Sequence, residues 1–192
     1  MRYCSIDIET CGLDWKNCDI IEFGAVLDDL NNQRPIKMLP QFHCYFCQQS
    51  YQGEPYALSM HSTIFRRIAE REKGYTYCDP TKLGMLFKRF LMNNGYESEH
   101  DVVTITAAGK NFGSFDLQFL NEKTDLSKHV NIRHRIIDPS ILFVSREDIS
   151  LPNMAECKKR AGMSEYIAHD AIADALDVVG LVRHGLANKF YA

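Results

Sequence analysis

Apolar and polar positions alternate at the start of the chain and later give way to helical spacing, and that change predicts the order of elements. Ile6 and Ile8 alternate with Asp7 and Glu9 in a first strand ending near Gly12, so the two acids share one face and the isoleucines the other. Asp14 to Asp19 reads as a loop. Ile20 to Asp28 is a largely apolar second strand, closed by the turn chemistry of Asp28-Asp29 and Asn31-Asn32. Gln41 to Gln48 makes a third, bounded by Pro40 and Gln48-Gln49-Ser50. Short links predict an antiparallel meander for these three.

The period then changes. Leu58, Ile64, Phe65 and Ile68 give a helical spacing from Ala57 to about Arg71, with Arg66, Arg67 and Arg71 turned elsewhere. Asp79-Pro80 is an N-cap followed by proline at the first helical position, and Leu83, Leu86, Phe87, Phe90 and Leu91 line one face before Gly95 stops the helix. Val102 to Ala107 alternates as a fourth strand. Gly109-Lys110-Asn111 turns into a helix from Ser114 to Leu120. Ile136-Ile137 marks a fifth strand, followed by short helical pieces at 140–145 and 152–161. A last helix runs from Asp170 to about Leu186, with Ile172, Leu176, Val179 and Val182 toward the core. Strands first, then helix and strand in alternation, predict an α/β fold with a five-stranded mixed sheet flanked by helices, in a single domain over residues 1–192.

Composition adds exclusions. The 192 residues, 45% hydrophobic and 24% charged, are those of an ordinary globular protein, with no apolar run long enough for a membrane span. Met1-Arg2-Tyr3-Cys4 enters a strand without a signal-peptide apolar region, and seven scattered cysteines suit free thiols in a reducing compartment, so the expectation is cytoplasmic. A net charge of -3 argues against a long phosphate-gripping face but not against a single chain end, since bound cations reverse the sign of an acidic cleft.

Three places break the pattern. Asp7 and Glu9 stand about 7 Å apart on one strand face, where like charges are costly unless a cation lies between them; oxygen donors suit magnesium or manganese. Asp116 falls in the first turn of a helix just beyond a strand end, where ligands collect in such sheets and where an acid also complements the helix dipole. Near the C-terminus Asp170 makes an N-cap, leaving His169 in the loop and Asp174 one turn inside the helix, with Asp177 competing for the role of Asp174.

Taken together, Asp7-x-Glu9 with Thr10-Cys11-Gly12-Leu13, Asn111 to Asp116, and His169-x4-Asp174 resemble the three motifs of the DEDD (DnaQ-like) exonuclease superfamily in its histidine-containing DEDDh branch. Ile20-Ile21-Glu22-Phe23-Gly24-Ala25-Val26 resembles that family's second strand. Cys11 departs from the usual threonine or serine.

The resemblance implies a ribonuclease H-like fold and a 3'-to-5' exonuclease that releases nucleoside 5'-monophosphates from the 3' end of single-stranded DNA or short RNA. It implies two Mg2+ or Mn2+ ions held by Asp7, Glu9, Asp116 and Asp174, with Asp7 between them, and His169 as general base. Thr10, Gly12 and Leu13 correspond to the segment that receives the terminal nucleotide, with Leu13 against the last base. Asn111 and Phe115 lie near the same pocket, Phe115 also having a core reading. Lys110 reads as a turn lysine, within reach of a phosphate.

Two rivals come from other features. His43-Cys44-Tyr45-Phe46-Cys47 contains a Cys-x-x-Cys spacing that suggests zinc or redox chemistry, but residues three apart on a strand point to opposite faces. A non-catalytic interaction module on the same fold normally lacks one of the acids, and none is missing here. Arg66, Arg67, Arg71 and Lys73, and Lys158, Lys159 and Arg160, read as solvated helix faces that would guide a strand if they lay beside the cleft. Nothing in the sequence chooses between RNA and DNA, or assigns a homodimer or a polymerase partner.

Overall fold

A computed structural model describes residues 1–189. Strands β1 (Arg2–Thr10), β2 (Ile20–Asp29) and β3 (Gln41–Phe46) form the antiparallel meander that the alternation predicts. Helices α1 (Pro55–Met60) and α2 (Ser62–Glu70) lead to β4 (Tyr77–Cys78) and α3 (Leu83–Asn93). Then come β5 (Ser98–Glu99), β6 (Val102–Ile105), β7 (Ala107–Ala108), α4 (Asp116–Lys123), α5 (Leu126–His129), β8 (Val130–Ile132), α6 (Met154–Arg160) and α7 (Ala171–Lys189). The main sheet has five strands in the order β4-β3-β2-β1-β7, with β4 parallel to β3 and β7 parallel to β1. The expected mixed sheet is therefore present.

Its membership differs from the sequence reading at the edges. Ile137 contributes a single parallel bridge to Ala108 rather than a full strand, and the fifth place is taken by β4, two residues long and too short to show a period. The expected strand Val102–Ala107 divides. β6 pairs with β5 and β8 in a separate three-stranded sheet, whereas Thr106 and β7 turn to β1, the Thr106 carbonyl accepting from Cys4 N at 2.9 Å. β3 stops two residues short of Gln48 because Cys47 N bonds to Cys78 O and Gln48 N to the Tyr51 hydroxyl.

The expected helix from Ala57 to Arg71 is two helices meeting at His61. Asp79 caps the next turn as expected, accepting from Thr81 N at 2.8 Å, and Leu83, Phe87 and Leu91 are fully buried. Asp170 caps α7 through Ala173 N at 3.0 Å. On α7 the buried face is Ala171, Ala175, Val178, Val179 and Val182, with Leu176 packed beside it; Ile172, expected in that face, is half-buried at its margin.

The pleat divides the core. Cys4, Ile6 and Ile8 join Phe23, Phe87, Leu91 and Phe119 on one face of the main sheet. Tyr3, Ser5, Asp7 and Glu9 point to the other, where α7 lies. Ser5 Oγ donates to Ala175 O at 2.8 Å, and Tyr3 OH donates to Asp28 Oδ2, which also accepts from Arg183 Nε at 3.0 Å. These contacts fix α7 along the sheet with its first turn over Asp7 and Glu9. No helix among the described residues is long and apolar enough to cross a membrane.

Candidate metal centre

Asp7 lies opposite Gly24, and Glu9 opposite Glu22, so one sheet face carries three acids in adjacent register positions. Helix α7 closes the space above them with Asp174, and the first turn of α4 adds Asp116. Glu9, Asp116 and Asp174 are buried and Asp7 is half-buried. Burial raises the Asp7 pKa well above the usual carboxylate range, helped by the charges of Asp116, Glu9, Asp174 and Glu22. Glu9 is pushed to about 9 by burial and then by Glu22 and Asp174. Asp116 is pushed to about 7 by burial, partly offset by the backbone amides of Asp116 and Ile8. Asp174 is raised by burial and Asp177, against the Ala168 amide and the charges of His169 and Lys158.

Like charges this crowded repel one another, and a cation among them would relieve the repulsion. Donor atoms of Glu9, His169 and Asp174 all lie within 4.8 Å of one another, a spacing one cation would span. Asp174 Oδ1 is buried with no hydrogen-bond partner among the described residues. The two carboxylates are hard oxygen donors suited to magnesium or manganese, whereas a donor set that included the imidazole would suit zinc. Hence the residues fit a divalent ion, and a total charge of -4 on Asp7, Glu9, Asp116 and Asp174 would balance two.

His169 takes a left-handed backbone, φ 49°, just before α7, and its ring stays exposed beside the buried acids. Asp177 is consumed elsewhere: its carboxylate pairs with Lys158, which also donates to Tyr166 O. Structure thus separates Asp174 from its competitor. It also corrects the reading of Lys158 as solvated, since that side chain is buried between α6, α7 and the loop leading to His169. Lys159 is exposed, and Arg160 pairs with Asp148 and Glu156.

The substrate-side expectations map unevenly. Thr10 Oγ1 donates to Gly12 O at 2.7 Å, closing the bend after β1. A Cβ on Gly12 would meet Cys18 Sγ at 2.6 Å and Glu54 at 3.0 Å, so tight packing explains that glycine. Leu13 is 74% exposed, an apolar side chain held out in solvent while its amide donates to Glu54 Oε1. Cys11 is buried in the core, where burial pushes its thiol up to about 12. Asn111, at φ 58°, donates its amide to Asp138 Oδ2 and accepts Phe115 N at its carbonyl, shaping the entry to α4. Phe115 packs on the core with its ring 5.1 Å from Phe119. Lys110 is half-buried and bonded to Asn111 Oδ1 at 2.8 Å.

Elsewhere, Cys44 Sγ meets Cys78 Sγ at 3.4 Å, while Cys47 Sγ meets Arg71 Nη1 at 2.8 Å, so the two cysteines of the Cys-x-x-Cys spacing have separate partners. In the basic run, Arg66 pairs with Glu70 and Glu72, Arg67 donates to Tyr45 OH, and Arg71 lies over the Tyr77 ring.

Three residues around the centre escaped the sequence reading as site residues. Glu22, fully buried, meets His43 Nε2 at 2.7 Å and accepts Ala171 N at 3.3 Å, so it holds the first residue of α7. A charge inside an apolar strand was its signal. His61 lies with Nε2 3.3 Å from Glu9 Oε2, and only the broken helical period around it gave a hint. Lys158 gave none, because it opens a run of three basic residues, Lys158-Lys159-Arg160.

No family model matches the chain, and no curated protein matches it in sequence. Solved structures do resemble it. A zinc-bound complex of E. coli exonuclease I with single-stranded DNA superposes with a TM-score of 0.63 at 14% identity, covering 99% of this chain and 41% of that one. The same E. coli protein with a dT13 oligonucleotide gives a TM-score of 0.59 at 17% identity, covering 98% and 42%. The chain spans about two fifths of the length of those structures. Likeness at this level establishes the fold, which is α/β and ribonuclease H-like.

Proposed function

We propose that the chain is a single-domain, metal-dependent 3'-to-5' exonuclease of the DEDDh branch, hydrolysing phosphodiester bonds at the 3' end of single-stranded DNA or RNA and releasing nucleoside 5'-monophosphates. The observation that carries the reading is the convergence of Asp7, Glu9, Asp116 and Asp174, from three separate elements, with His169 beside Glu9 and Asp174. Asp7, Glu9, Asp116 and Asp174 would hold Mg2+ or Mn2+, which would supply positive charge to the incoming and departing oxygens of an in-line displacement.

The chain's own residues do the rest. Burial of Glu9, Asp116 and Asp174 keeps them in place without solvent to reorganise. His169, exposed at the mouth of the site and adjacent to Glu9 and Asp174, accepts the proton of the attacking water and passes it to solvent, an effect worth typically about 10²- to 10⁴-fold. Leu13, apolar and exposed after β1, offers a surface to the terminal base. The resemblance to exonuclease I complexes with single-stranded DNA supports an unpaired strand as substrate.

The test is a panel of 3'-labelled RNA and DNA oligonucleotides, single and double stranded, with manganese and with chelator. Release of labelled mononucleotide from single strands in manganese, abolished by chelator, is the expected result. No release from any member would overturn the reading.

A further inference from the structure

His61 is a buried histidine at the junction of α1 and α2, only 3% exposed. Its Nε2 stands 3.3 Å from Glu9 Oε2, and its ring meets that of His169 nearly perpendicularly, centroids 6.4 Å apart. The sequence spends a helix break to put it there: α1 ends and α2 begins at this residue, where a continuous helix would have kept the spacing from Leu58 to Ile68. A buried polar ring needs a partner, and the one it meets is a carboxylate of the acid cluster.

A lysine or arginine in this place would cancel a charge that the cluster needs to hold a cation. An imidazole beside Glu9 Oε2 bears on one carboxylate oxygen and leaves the other available. Outer partners of this kind fix the geometry of ligating groups, and their loss typically costs about 10- to 100-fold in metal affinity.

We propose that His61 is a positioning residue that holds the Glu9 carboxylate toward a divalent cation shared with Asp174. The inference rests on the metal-site reading above and assigns this histidine no contact with the reacting phosphate. His61 acts through Glu9.

The experiment measures Mn2+ binding to metal-free preparations of the full chain by the loss of the free-ion electron paramagnetic resonance signal, with far-UV circular dichroism to verify folding. Wild type is compared with His61→Phe, His61→Gln and Asp174→Ala. Phenylalanine fills the buried space but donates nothing, whereas the glutamine amide carries an N–H to about the position of Nε2. The expected result is affinity weakened about 10-fold or more in His61→Phe and in Asp174→Ala, with His61→Gln recovering most of the loss. Wild-type affinity in His61→Phe alongside a weakened Asp174→Ala would overturn the role of His61 and leave the metal site standing. Equal losses in His61→Phe and His61→Gln, both folded, would also overturn it. Unchanged affinity in Asp174→Ala would overturn the metal site itself. If His61→Phe fails to fold, His61→Gln against wild type and His61→Ala decides.

Discussion

Gly24 and Ala171 meet backbone to backbone: a Cβ on Gly24 would stand 2.5 Å from the Ala171 carbonyl carbon and 2.6 Å from its oxygen. Gly24 is also the residue across from Asp7. The missing side chain is what lets the first turn of α7 descend onto the sheet and bring Asp174 to Asp7 and Glu9. Gly24→Ala is expected to cost about 1 to 3 kcal/mol through overpacking, a fall in Tm of roughly 3 to 10 °C for a chain of this size. It is also expected to weaken Mn2+ binding, because the clash moves α7 and the acid it carries. Thermal melts with and without Mn2+ check both effects; an unchanged Tm would show that α7 is free to move without loss.

Asp174 and Asp177 are expected to respond to the same change in opposite directions. Asp174 is a buried acid among acids, with one oxygen unpartnered, so Asp174→Asn relieves repulsion and leaves the metal-free fold at least as stable. Asp177 neutralises the buried Lys158, so Asp177→Asn strands a cation and costs on the order of 3 kcal/mol. Divalent ions are expected to raise the Tm of Asp177→Asn but not that of Asp174→Asn. Chemical denaturation of both variants in chelator, followed by melts in Mg2+, distinguishes them.

Much of this was legible in the sequence. Asp7 and Glu9 stood out because charges interrupt a strand whose other face is Ile6 and Ile8, and Asp116 and Asp174 because each sits just inside a helix with a readable start. The short edge strands were not legible, since Tyr77–Cys78 and Ala107–Ala108 hold two residues each and show no alternation. His61 and Lys158 were hidden for a different reason. His61 precedes the polar pair Ser62-Thr63 and Lys158 opens a basic run, and the burial of each is decided by distant chain, β1 for one and α7 for the other. Asp177 could be told from Asp174 only once Lys158 had a place.

The acid cluster sets the pH dependence of the metal-free protein. Glu9 keeps its proton to about pH 9 when folded and to 4.5 when unfolded, and Asp116 to about 7 against 3.8. Within those windows the folded state holds the extra protons, so their contribution is complete below the unfolded values and is lost as pH rises through the folded ones. His61 works the other way, charging at 6.5 when unfolded and only at about 4 when folded, so it adds stability as pH rises through about 6.5 and little beyond. The window from pH 6.5 to 8.5 is therefore dominated by the acids. In chelator, Tm is expected to fall by about 5 °C across it, and saturating Mg2+ is expected to flatten or reverse the trend because the cation replaces the protons. A chelated Tm that rises from pH 6.5 to 8.5 would contradict the assignment.

The account stands on Asp7 belonging to a site that cleaves at a 3' terminus. The most direct measurement is release of mononucleotide from a 3'-labelled single strand in Mn2+ by wild type and by Asp7→Ala, with circular dichroism showing both folded. Release by wild type and a loss of about 10³-fold or more in the variant is the expected result, since that carboxylate faces Glu9, Asp116 and Asp174 together. Undiminished release by a folded Asp7→Ala variant would contradict it.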